Sequence, residues 1–192
     1  MKNTFSIDII PDNDEQRLDV LRRYEILDTP REHSFDRVAE LAVKIFNVPI
    51  ALISLVDKEK VFFKANVGMP GAKTVDRGMS LCSLAVLRDN PTVFENAKEE
   101  PCLLANPMVT GSFGLQFYAG APIITLDGYN IGTVCIVDKM PRSFSEKEKS
   151  MLQDLAGIVM DELEVRISAI KALRAKSEIM NIAAHDLKNP LF

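Results

Sequence analysis

The residues best placed to do chemistry lie near the end of the chain, where a histidine is followed directly by an acidic residue. His185 precedes Asp186, and Asn189 and Pro190 follow four and five positions after the histidine. On a helix, the Asp186 carboxylate can orient the imidazole and accept its proton, which makes the other ring nitrogen more nucleophilic. Pro190 removes a helical hydrogen bond and loosens the turn beside the histidine. The pattern favours a nucleophilic His185 over a surface histidine without a role.

The segment that carries this histidine is predicted to be one long helix. Ser145 and Glu148 form a capping box, and no proline follows before Pro190. Inside the helix, apolar and small residues recur every three or four positions in two series, with a short step at Ile170–Leu173. The series are Met160, Leu163, Ile167 and Ile170, and then Leu173, Ser177, Met180, Ala184, Leu187 and Leu191. This heptad pattern is typical of a coiled coil, so we expect a homodimer through this helix.

Residues 177–192 resemble the H-box of sensor histidine kinases, in which His and Glu or Asp are followed by Thr or Asn, Pro and Leu. The resemblance implies that His185 is the phosphoacceptor, that Asp186 activates it, and that Asn189 positions water in members with phosphatase activity. It also implies a response regulator as partner, and ATP and Mg²⁺ in a catalytic domain that is not in this sequence. We therefore expect no cofactor in these residues and no activity of this segment alone.

The preceding part of the chain predicts an α+β domain with a largely antiparallel sheet. One helix is expected from Asp12 to Leu27, ending before Thr29-Pro30, and a second over Ser34–Phe46. The predicted apolar face of the second helix consists of Phe35, Val38, Leu41, Ala42 and Ile45. Apolar runs separated by turn residues predict two hairpins, the second closed by Asp127-Gly128. The predicted strands are Ile50–Val56, Val61–Val67, Tyr118–Leu126 and Asn130–Val137, with a short helix over Ser80–Leu87 and a short strand over Thr92–Phe94.

Four stretches of this part resemble the GAF domains found upstream of bacterial histidine kinases. They are Arg22–Pro30, Val48–Asp57, Phe117–Pro122 and Ile131–Asp138. The resemblance implies a central antiparallel sheet with helices on both faces, followed here by the long coiled-coil helix, and dimers through terminal helices. It divides the chain into an irregular lead-in (1–12), a GAF sensor domain (13–165), and a signalling helix with the start of the phosphoacceptor domain (166–192).

GAF domains bind varied small molecules, so the resemblance leaves the ligand open. The long irregular stretch between Gly68 and Asn106 could wall a pocket over the sheet. The candidate ligand-binding residues are Cys82, Asn106, Thr110, Phe113, Phe117 and Tyr118. In bilin-binding members the attachment cysteine is followed by histidine, whereas Ser83 follows Cys82 here. No group of histidine, cysteine and carboxylate residues has metal-ligand spacing, so no metal site is predicted.

Composition and cysteine usage exclude several classes of protein. A net charge of −4 and a pI of about 5.3 predict no nucleic-acid partner. No apolar run reaches the roughly 18 residues of a membrane span. Cys82, Cys102 and Cys135 are widely spaced, and the N-terminus lacks a signal-peptide pattern, which together favour a cytoplasmic protein. The cysteines also lack the close placement that an enzyme of the methionine-sulfoxide-reductase type within the GAF fold would need.

Two functional hypotheses follow from these patterns. In the first, the chain is the sensory and dimerisation part of a two-component sensor histidine kinase, whose GAF domain controls phosphorylation of His185. In the second, the chain is a non-catalytic GAF module for ligand binding or dimerisation, and its terminal histidine is incidental. Replacement of His185 by glutamine separates them, because only the first predicts loss of phosphotransfer with an intact fold and dimer.

Overall fold

An antiparallel sheet lies at the centre of the structure, a computed structural model that describes the backbone of residues 2–188 and the side chains of residues 2–183. Its strands are β1 (Ile50–Val56), β2 (Lys60–Val67), β3 (Thr74–Asp76), β4 (Thr92–Phe94), β5 (Phe117–Ile124) and β6 (Asn130–Asp138). They follow the spatial order β3-β2-β1-β6-β5-β4, and each neighbouring pair is antiparallel. The predicted α+β class and both hairpins are confirmed.

Among the described residues, five α-helices surround this sheet. They are α1 (Asp14–Arg23), α2 (His33–Phe46), α3 (Cys82–Ala85), α4 (Pro107–Thr110) and α5 (Glu146–Lys188), with short 3₁₀ turns at Ala97–Glu99 and Pro101–Leu103. The predicted capping box precedes α5: the Ser145 amide donates to Glu148 Oε2 at 2.7 Å, and the Glu148 amide donates to Ser145 Oγ at 3.3 Å. Within the part of the chain that the structure describes, no helix is both long and apolar enough to cross a membrane.

The sheet has two faces that are covered in different ways. Successive residues of a strand point to opposite faces, so Phe117 lies on one face and Tyr118 on the other. We call the first the helix-covered face, because α1, α2 and α5 pack on it. The second is the loop-covered face, which the N-terminal lead-in, α3, α4 and their connecting loops close. Its cover includes Phe5, Ile9, Leu81, Leu84, Leu103, Val109 and Leu115.

Two details of the N-terminal helices differ from the sequence prediction. Helix α1 ends at Arg23 and not at Leu27, because Glu25 and Asp28 adopt positive φ angles of 48° and 56° that a right-handed helix cannot contain. On α2, the predicted apolar face included Leu41 and Ile45, which are 44% and 39% exposed. The face of α2 that is buried consists of Phe35, Ala39, Ala42 and Phe46.

The long helix α5 has two parts with different surroundings. Met160 and Leu163 are buried in the core of the helix-covered face, and Ile167 further along the helix is also buried. The start of the first predicted coiled-coil series therefore packs against this chain's own domain. After Ile167, the helix continues to Lys188 for about 30 Å at 1.5 Å per residue. Residues 171–183 of this second part are all exposed.

A buried lysine ties the sheet to α5 on the helix-covered face. The Lys64 ammonium on β2 donates to Thr29 Oγ1 at 2.9 Å, and to Pro30 O and Glu32 Oε1 at 2.6 Å each. Arg166 of α5 donates to the same Glu32 oxygen at 2.9 Å. Burial lowers the pKa of Lys64, although the neighbouring Glu32 carboxylate opposes the shift. One carboxylate thus joins a strand of the sheet to the long helix.

A second buried charge cluster lies at the edge of the loop-covered face. The Asp14 carboxylate accepts two hydrogen bonds from Arg77, each 2.8 Å long, and one from Arg17 Nε, also at 2.8 Å. Both arginine side chains are almost fully buried. Arg17 also donates to the carbonyl of Val56 at 2.6 Å. The cluster joins the start of α1 to the end of β1 and to the segment after β3.

Candidate functional site

A small cavity lies on the loop-covered face between the sheet and its loop cover. Its volume is about 30 Å³, which is room for about one water-sized molecule. The lining is almost entirely apolar and comes from all strands except β4, from α3 and α4, and from the loops between them. Its residues are Leu52, Phe63, Met69, Val75, Ser80, Leu81, Cys82, Met108, Phe113, Leu115, Tyr118, Cys135 and Val137.

Three of the six residues predicted to bind a ligand line this cavity. They are Cys82, Phe113 and Tyr118. Cys82 and Tyr118 are buried, whereas Phe113 is half-buried and lies in the loop that precedes β5. Whether these residues bind a ligand stays a prediction, but the structure does bring them together from three separate parts of the chain.

The other three predicted residues lie elsewhere. Phe117 points to the helix-covered face, where its ring lies 5.5 Å from that of Phe144. Thr110 is exposed at the end of α4. The Asn106 side chain is fully buried, but its amide donates to Thr4 Oγ1 and Met79 O, and its oxygen caps α4. Asn106 therefore holds the cover of the loop-covered face together, with its hydrogen-bonding groups occupied.

Two cysteines that are 53 residues apart in sequence meet at the wall of the cavity. Cys82 begins α3, and Cys135 lies in the middle of β6. Both are buried free thiols, and their Sγ atoms are 3.7 Å apart. The expectation that the cysteines are not closely placed is wrong for this pair. Their spacing gave no motif, although the alternation of β6 places Cys135 on the same face as Val137.

Three hydroxyl groups from neighbouring strands surround the two sulfurs. Ser54 Oγ on β1 lies 3.9 Å from Cys135 Sγ. The hydroxyls of Thr133 on β6 and Tyr118 on β5 are buried and have no hydrogen-bond partner. Most buried polar groups in folded proteins are hydrogen-bonded, so two unpaired hydroxyls beside a thiol pair mark an unusual site.

Gly120 allows the Tyr118 phenol to reach this site. In the pairing of β5 with β6, Gly120 lies directly opposite Cys135. A Cβ atom at Gly120 would collide with the Tyr118 hydroxyl, so the phenol lies over the bare backbone of its neighbour on the same face. Only glycine leaves room for the hydroxyl next to the sulfurs.

The environment stabilises a thiolate at Cys82 rather than at Cys135. Hydrogen bonding with Cys135 lowers the pKa of Cys82, and this outweighs the opposing effect of burial. The hydroxyls of Thr133, Ser54 and Tyr118 lower the pKa of Cys82 further, because each can turn its O–H toward a thiolate at this position. Those of Thr133 and Tyr118 have no partner while Cys82 is a thiol. The same bond, together with burial, raises the pKa of Cys135 well above its usual range. Burial likewise raises the pKa of Tyr118, so its phenol stays protonated and can donate.

A larger depression on the surface has no comparable set of buried polar groups without hydrogen-bond partners among the described residues. It has a volume of about 750 Å³ and lies between residues 28–31 and the segment from β2 to β3. Its buried charged group is Lys64, whose three donors are already bonded to oxygen atoms. The depression therefore offers a ligand mainly exposed polar groups, whereas the small cavity offers unpaired buried ones.

The predicted phosphoacceptor segment lies at the limit of the described residues. The backbone at His185 and Asp186 is helical and continues α5. Their side chains, and Asn189 altogether, lie outside the described residues. The side-chain geometry of the candidate catalytic group therefore remains a prediction. The structure does show that the backbone at this position belongs to the long helix α5.

A stripe of exposed apolar residues on α5 differs from the predicted seam. Ile158, Val165 and Ile179 are 49%, 64% and 68% exposed. With the exposed Ala172, they recur every seven residues, from the packed part of the helix into its projecting part. The sequence patterns did not predict this stripe. Its first residues, Ile158 and Val165, lie between buried residues of the same helix, so the sequence alone does not show that they are exposed.

Comparison with known proteins assigns the fold to a family. A model of the GAF domain matches residues 30–163. The chain therefore belongs to the GAF domain family and is a GAF sensor module, as its sequence predicts.

The chain is also 32% identical over 151 residues to a cyclic di-GMP phosphodiesterase of Pseudomonas aeruginosa. The match covers 78% of this chain and 26% of the relative, so the chain spans about a quarter of that relative's length.

Solved structures share the fold at low sequence identity. A free methionine-R-sulfoxide reductase from Neisseria meningitidis, solved with its substrate, has a TM-score of 0.59 and 17% identity, covering 87% of this chain and 98% of that one. The domain of a protein described as a two-component sensor histidine kinase, from Sinorhizobium meliloti, has a TM-score of 0.56 and 21% identity, covering 73% and 94%. These likenesses show the common fold alone.

Proposed function

We propose that this chain is the sensory and dimerisation part of a two-component sensor histidine kinase, in which His185 accepts the γ-phosphoryl group of ATP. The observation that carries the proposal is the sequence from His185 to Leu191, which combines histidine, acid, asparagine and proline in the order of an H-box. The helix α5 supports it, because its backbone continues without a break from the GAF core to Lys188.

Phosphoryl transfer requires positioning and charge stabilisation more than covalent chemistry from the protein. The part of this chain would be to present a neutral imidazole nitrogen, with Asp186 holding the proton on the other nitrogen. ATP and Mg²⁺ would be bound by a separate catalytic domain, and an aspartate of a response regulator would receive the phosphoryl group. The 192 residues offer no glycine-rich phosphate loop of their own.

The contacts of α5 support a role in transmission. The helix packs on the core of the helix-covered face through Met160 and Leu163, and the Glu32 carboxylate joins it to Lys64 of β2. A change in the sheet would therefore reach the helix through apolar packing and through one ion-pair chain. A second copy of the chain fits the exposed stripe of α5, because a seven-residue repeat is the pattern by which helices pair.

The experiment uses the protein translated from the intact native reading frame. It is incubated with Mg²⁺ and ATP that carries a radioactive γ-phosphoryl group, and acid-labile, alkali-stable label on the protein is measured. We expect His185→Gln to abolish the label. The matched control is His33→Gln, because His33 is the other of the two histidines in these 192 residues and lies exposed at the start of α2. Equal labelling of wild type and His185→Gln would contradict the proposal.

A second candidate function is the input domain of a cyclic di-GMP phosphodiesterase. The 32% identity to such an enzyme favours it, because that identity extends over 78% of this chain. The same preparation is assayed for hydrolysis of cyclic di-GMP. Hydrolysis without histidine labelling would support this candidate. If the protein shows neither activity, the remaining hypothesis is a GAF module for ligand binding or dimerisation.

A further inference from the structure

The cysteine pair on the loop-covered face has chemistry that the proposed kinase function does not use. We propose that Cys82 and Cys135 form an oxidation site, at which a small hydroperoxide converts the two thiols into an intramolecular disulfide. The site does not depend on the role of His185, since all of its parts belong to the GAF domain.

The geometry brings the two sulfurs close enough for this reaction. Their separation of 3.7 Å is a non-bonded contact, and a disulfide bond of about 2.0 Å requires them to approach by less than the width of one atom. The cavity beside Cys82 leaves free volume into which its side chain can turn. Cys102 is half-buried in the 3₁₀ turn Pro101–Leu103 and does not line the cavity.

The surrounding groups distinguish the two sulfurs by role. The thiolate is the form of cysteine that attacks a peroxide, and the Cys135 thiol with the three nearby hydroxyls stabilises a thiolate at Cys82. Cys135 keeps its proton. Cys82 also lies on the short helix α3 of the cover, whereas Cys135 is fixed in the central strand β6 of the sheet. Position and charge environment together assign Cys82 as the sulfur that is oxidised first and Cys135 as the thiol that resolves it.

The cavity selects a small oxidant. Its volume of about 30 Å³ fits a molecule of the size of water or hydrogen peroxide. Four of its lining residues are only half-buried and come from loops, the short helix α4 and the short strand β3, so the cavity lies directly beneath the surface. These residues are Met69, Val75, Met108 and Phe113. The unpaired Tyr118 and Thr133 hydroxyls can donate to a peroxide oxygen.

The reaction balances with hydrogen peroxide as the oxidant. In the first step, the Cys82 thiolate attacks one oxygen, the O–O bond breaks, and an S–O bond forms to give a sulfenic acid and hydroxide, which takes up a proton to become water. In the second step, Cys135 attacks the Cys82 sulfur, the S–O bond breaks, and the S–S bond forms. The thiol proton of Cys135 leaves with the departing hydroxide as a second water. The two thiols lose two electrons, and the peroxide gains them.

A metal site fits the same sulfurs less well. A structural zinc ion takes four protein ligands from cysteine, histidine and carboxylate groups. Among the residues that the structure describes, no group of three such side chains is close enough to hold a metal ion. The two sulfurs have hydroxyl neighbours in place of further ligands.

The test treats the reduced 192-residue chain with one equivalent of hydrogen peroxide. Intact mass and a peptide map are then recorded without reductant, and the remaining thiols are alkylated after denaturation. We expect the wild type to lose two hydrogen atoms and two of its three alkylatable thiols, with Cys82 joined to Cys135 in the map. Cys102→Ser is the matched control and should form the same disulfide, whereas Cys82→Ser and Cys135→Ser should not.

The wild-type result decides the proposal even if a cysteine variant fails to fold. Three alkylatable thiols after treatment, or a disulfide that contains Cys102, would overturn it. Circular dichroism before and after oxidation shows that the reaction occurs in the folded chain, and a disulfide that forms only in unfolded protein would also overturn it.

Tyr118→Phe tests the role of the hydroxyl. Removal of one donor beside the thiolate should slow the formation of the disulfide by about tenfold, while the final extent of oxidation stays the same. A purely structural hydroxyl would leave the rate unchanged.

The Cys135→Ser variant tests the assigned order of the two sulfurs. In this variant the sulfenic acid at Cys82 should persist and react with a dimedone probe, and absence of that adduct would contradict the assigned order.

Discussion

The two faces of the sheet differ in how completely their buried groups are satisfied. On the helix-covered face, large apolar side chains interlock, and the buried Lys64 ammonium has an oxygen partner for each of its three donors. On the loop-covered face, the hydroxyls of Thr92, Tyr118 and Thr133 are buried without a partner. The cavity and the two free thiols lie on this face as well.

This difference separates two roles within one small domain. Unpaired buried polar groups cost stability and are kept where a site needs them. A tightly packed face, in contrast, transmits a displacement because it has no space to absorb it. The loop-covered face is thus suited to receive a signal, and the helix-covered face to pass it to α5.

The largest effect is expected from Phe117→Ala. Phe117 is fully buried on the helix-covered face against Phe144, so its truncation should lower the unfolding free energy by about 3–5 kcal/mol. Tyr118→Phe, one residue further on the opposite face, should change it by less than about 1 kcal/mol, because the lost hydroxyl has no partner. Urea unfolding measures both. Equal losses would remove the distinction between the faces.

A slightly smaller loss is expected from Asp14→Asn, which leaves Arg17 and Arg77 buried without their anion. The loss at neutral pH should be about 3 kcal/mol. Burial raises the pKa of Asp14, but hydrogen bonds and charge from the two arginines outweigh it and hold the pKa below its ordinary range.

The lowered pKa of Asp14 determines how the free energy of unfolding should change with pH. The carboxylate stabilises the fold at pH values above the ordinary pKa of an aspartate, and this stabilisation disappears as the pH falls through the lowered pKa. Asp14→Asn should therefore flatten the acid side of the stability profile, as followed by urea unfolding at a series of pH values. An unchanged acid side would show that other carboxylates dominate it.

Gly120→Ala should cost about 1–3 kcal/mol, because the new methyl group meets the Tyr118 hydroxyl and must displace the phenol. Gly157→Ala on α5 is the matched control, since nothing lies within 4 Å of a Cβ atom at that position. The control should stabilise the chain by roughly 0.5–1 kcal/mol, as expected for glycine in a helix interior. Thermal unfolding of both variants separates the collision at Gly120 from the general effect of replacing glycine by alanine. Equal stabilisation of both variants would show that the phenol does not need the space at Gly120.

The smallest effect on the fold is expected from Ile179→Lys, on the exposed part of α5. The unfolding free energy of the domain should change by no more than about 0.5 kcal/mol. Dimerisation, measured by analytical ultracentrifugation, should weaken. Asn181→Lys adds the same charge on the opposite side of the helix and should leave the dimer intact. Equal dissociation in both variants would indicate that the stripe is not the interface.

The fold could be predicted from local signals, whereas the contents of the site could not. Asp127-Gly128 predicts its hairpin because the turn needs a positive φ, and Gly128 has a φ of 83°. On α2, the periodicity gave the helix but not its buried side, because which side is covered depends on distant elements. Leu41 and Ile45 are exposed for this reason.

The candidate site shows the same limit more clearly. Strand alternation could have separated Phe117 from Tyr118, since adjacent residues of β5 cannot face one cavity. No local pattern could have paired Cys82 with Cys135, because their contact depends on how α3 folds back over β6. Sequence patterns thus indicated candidate residues one by one, but not which of them meet in the fold.

The path of the N-terminal lead-in has a consequence for how the domain can be manipulated. Phe5 and Ile9 are fully buried in the loop-covered face, and the Thr4 amide donates to the Gly78 carbonyl at 3.0 Å. Residues 4–9 thus form part of the cover of the loop-covered face, whereas the start of α5 packs on the opposite face. A dye attached at Lys2 would report on this cover, and a dye attached at Glu178 would report on the projecting part of α5. Two labels near opposite ends of the described chain could therefore follow the two faces of the sheet separately.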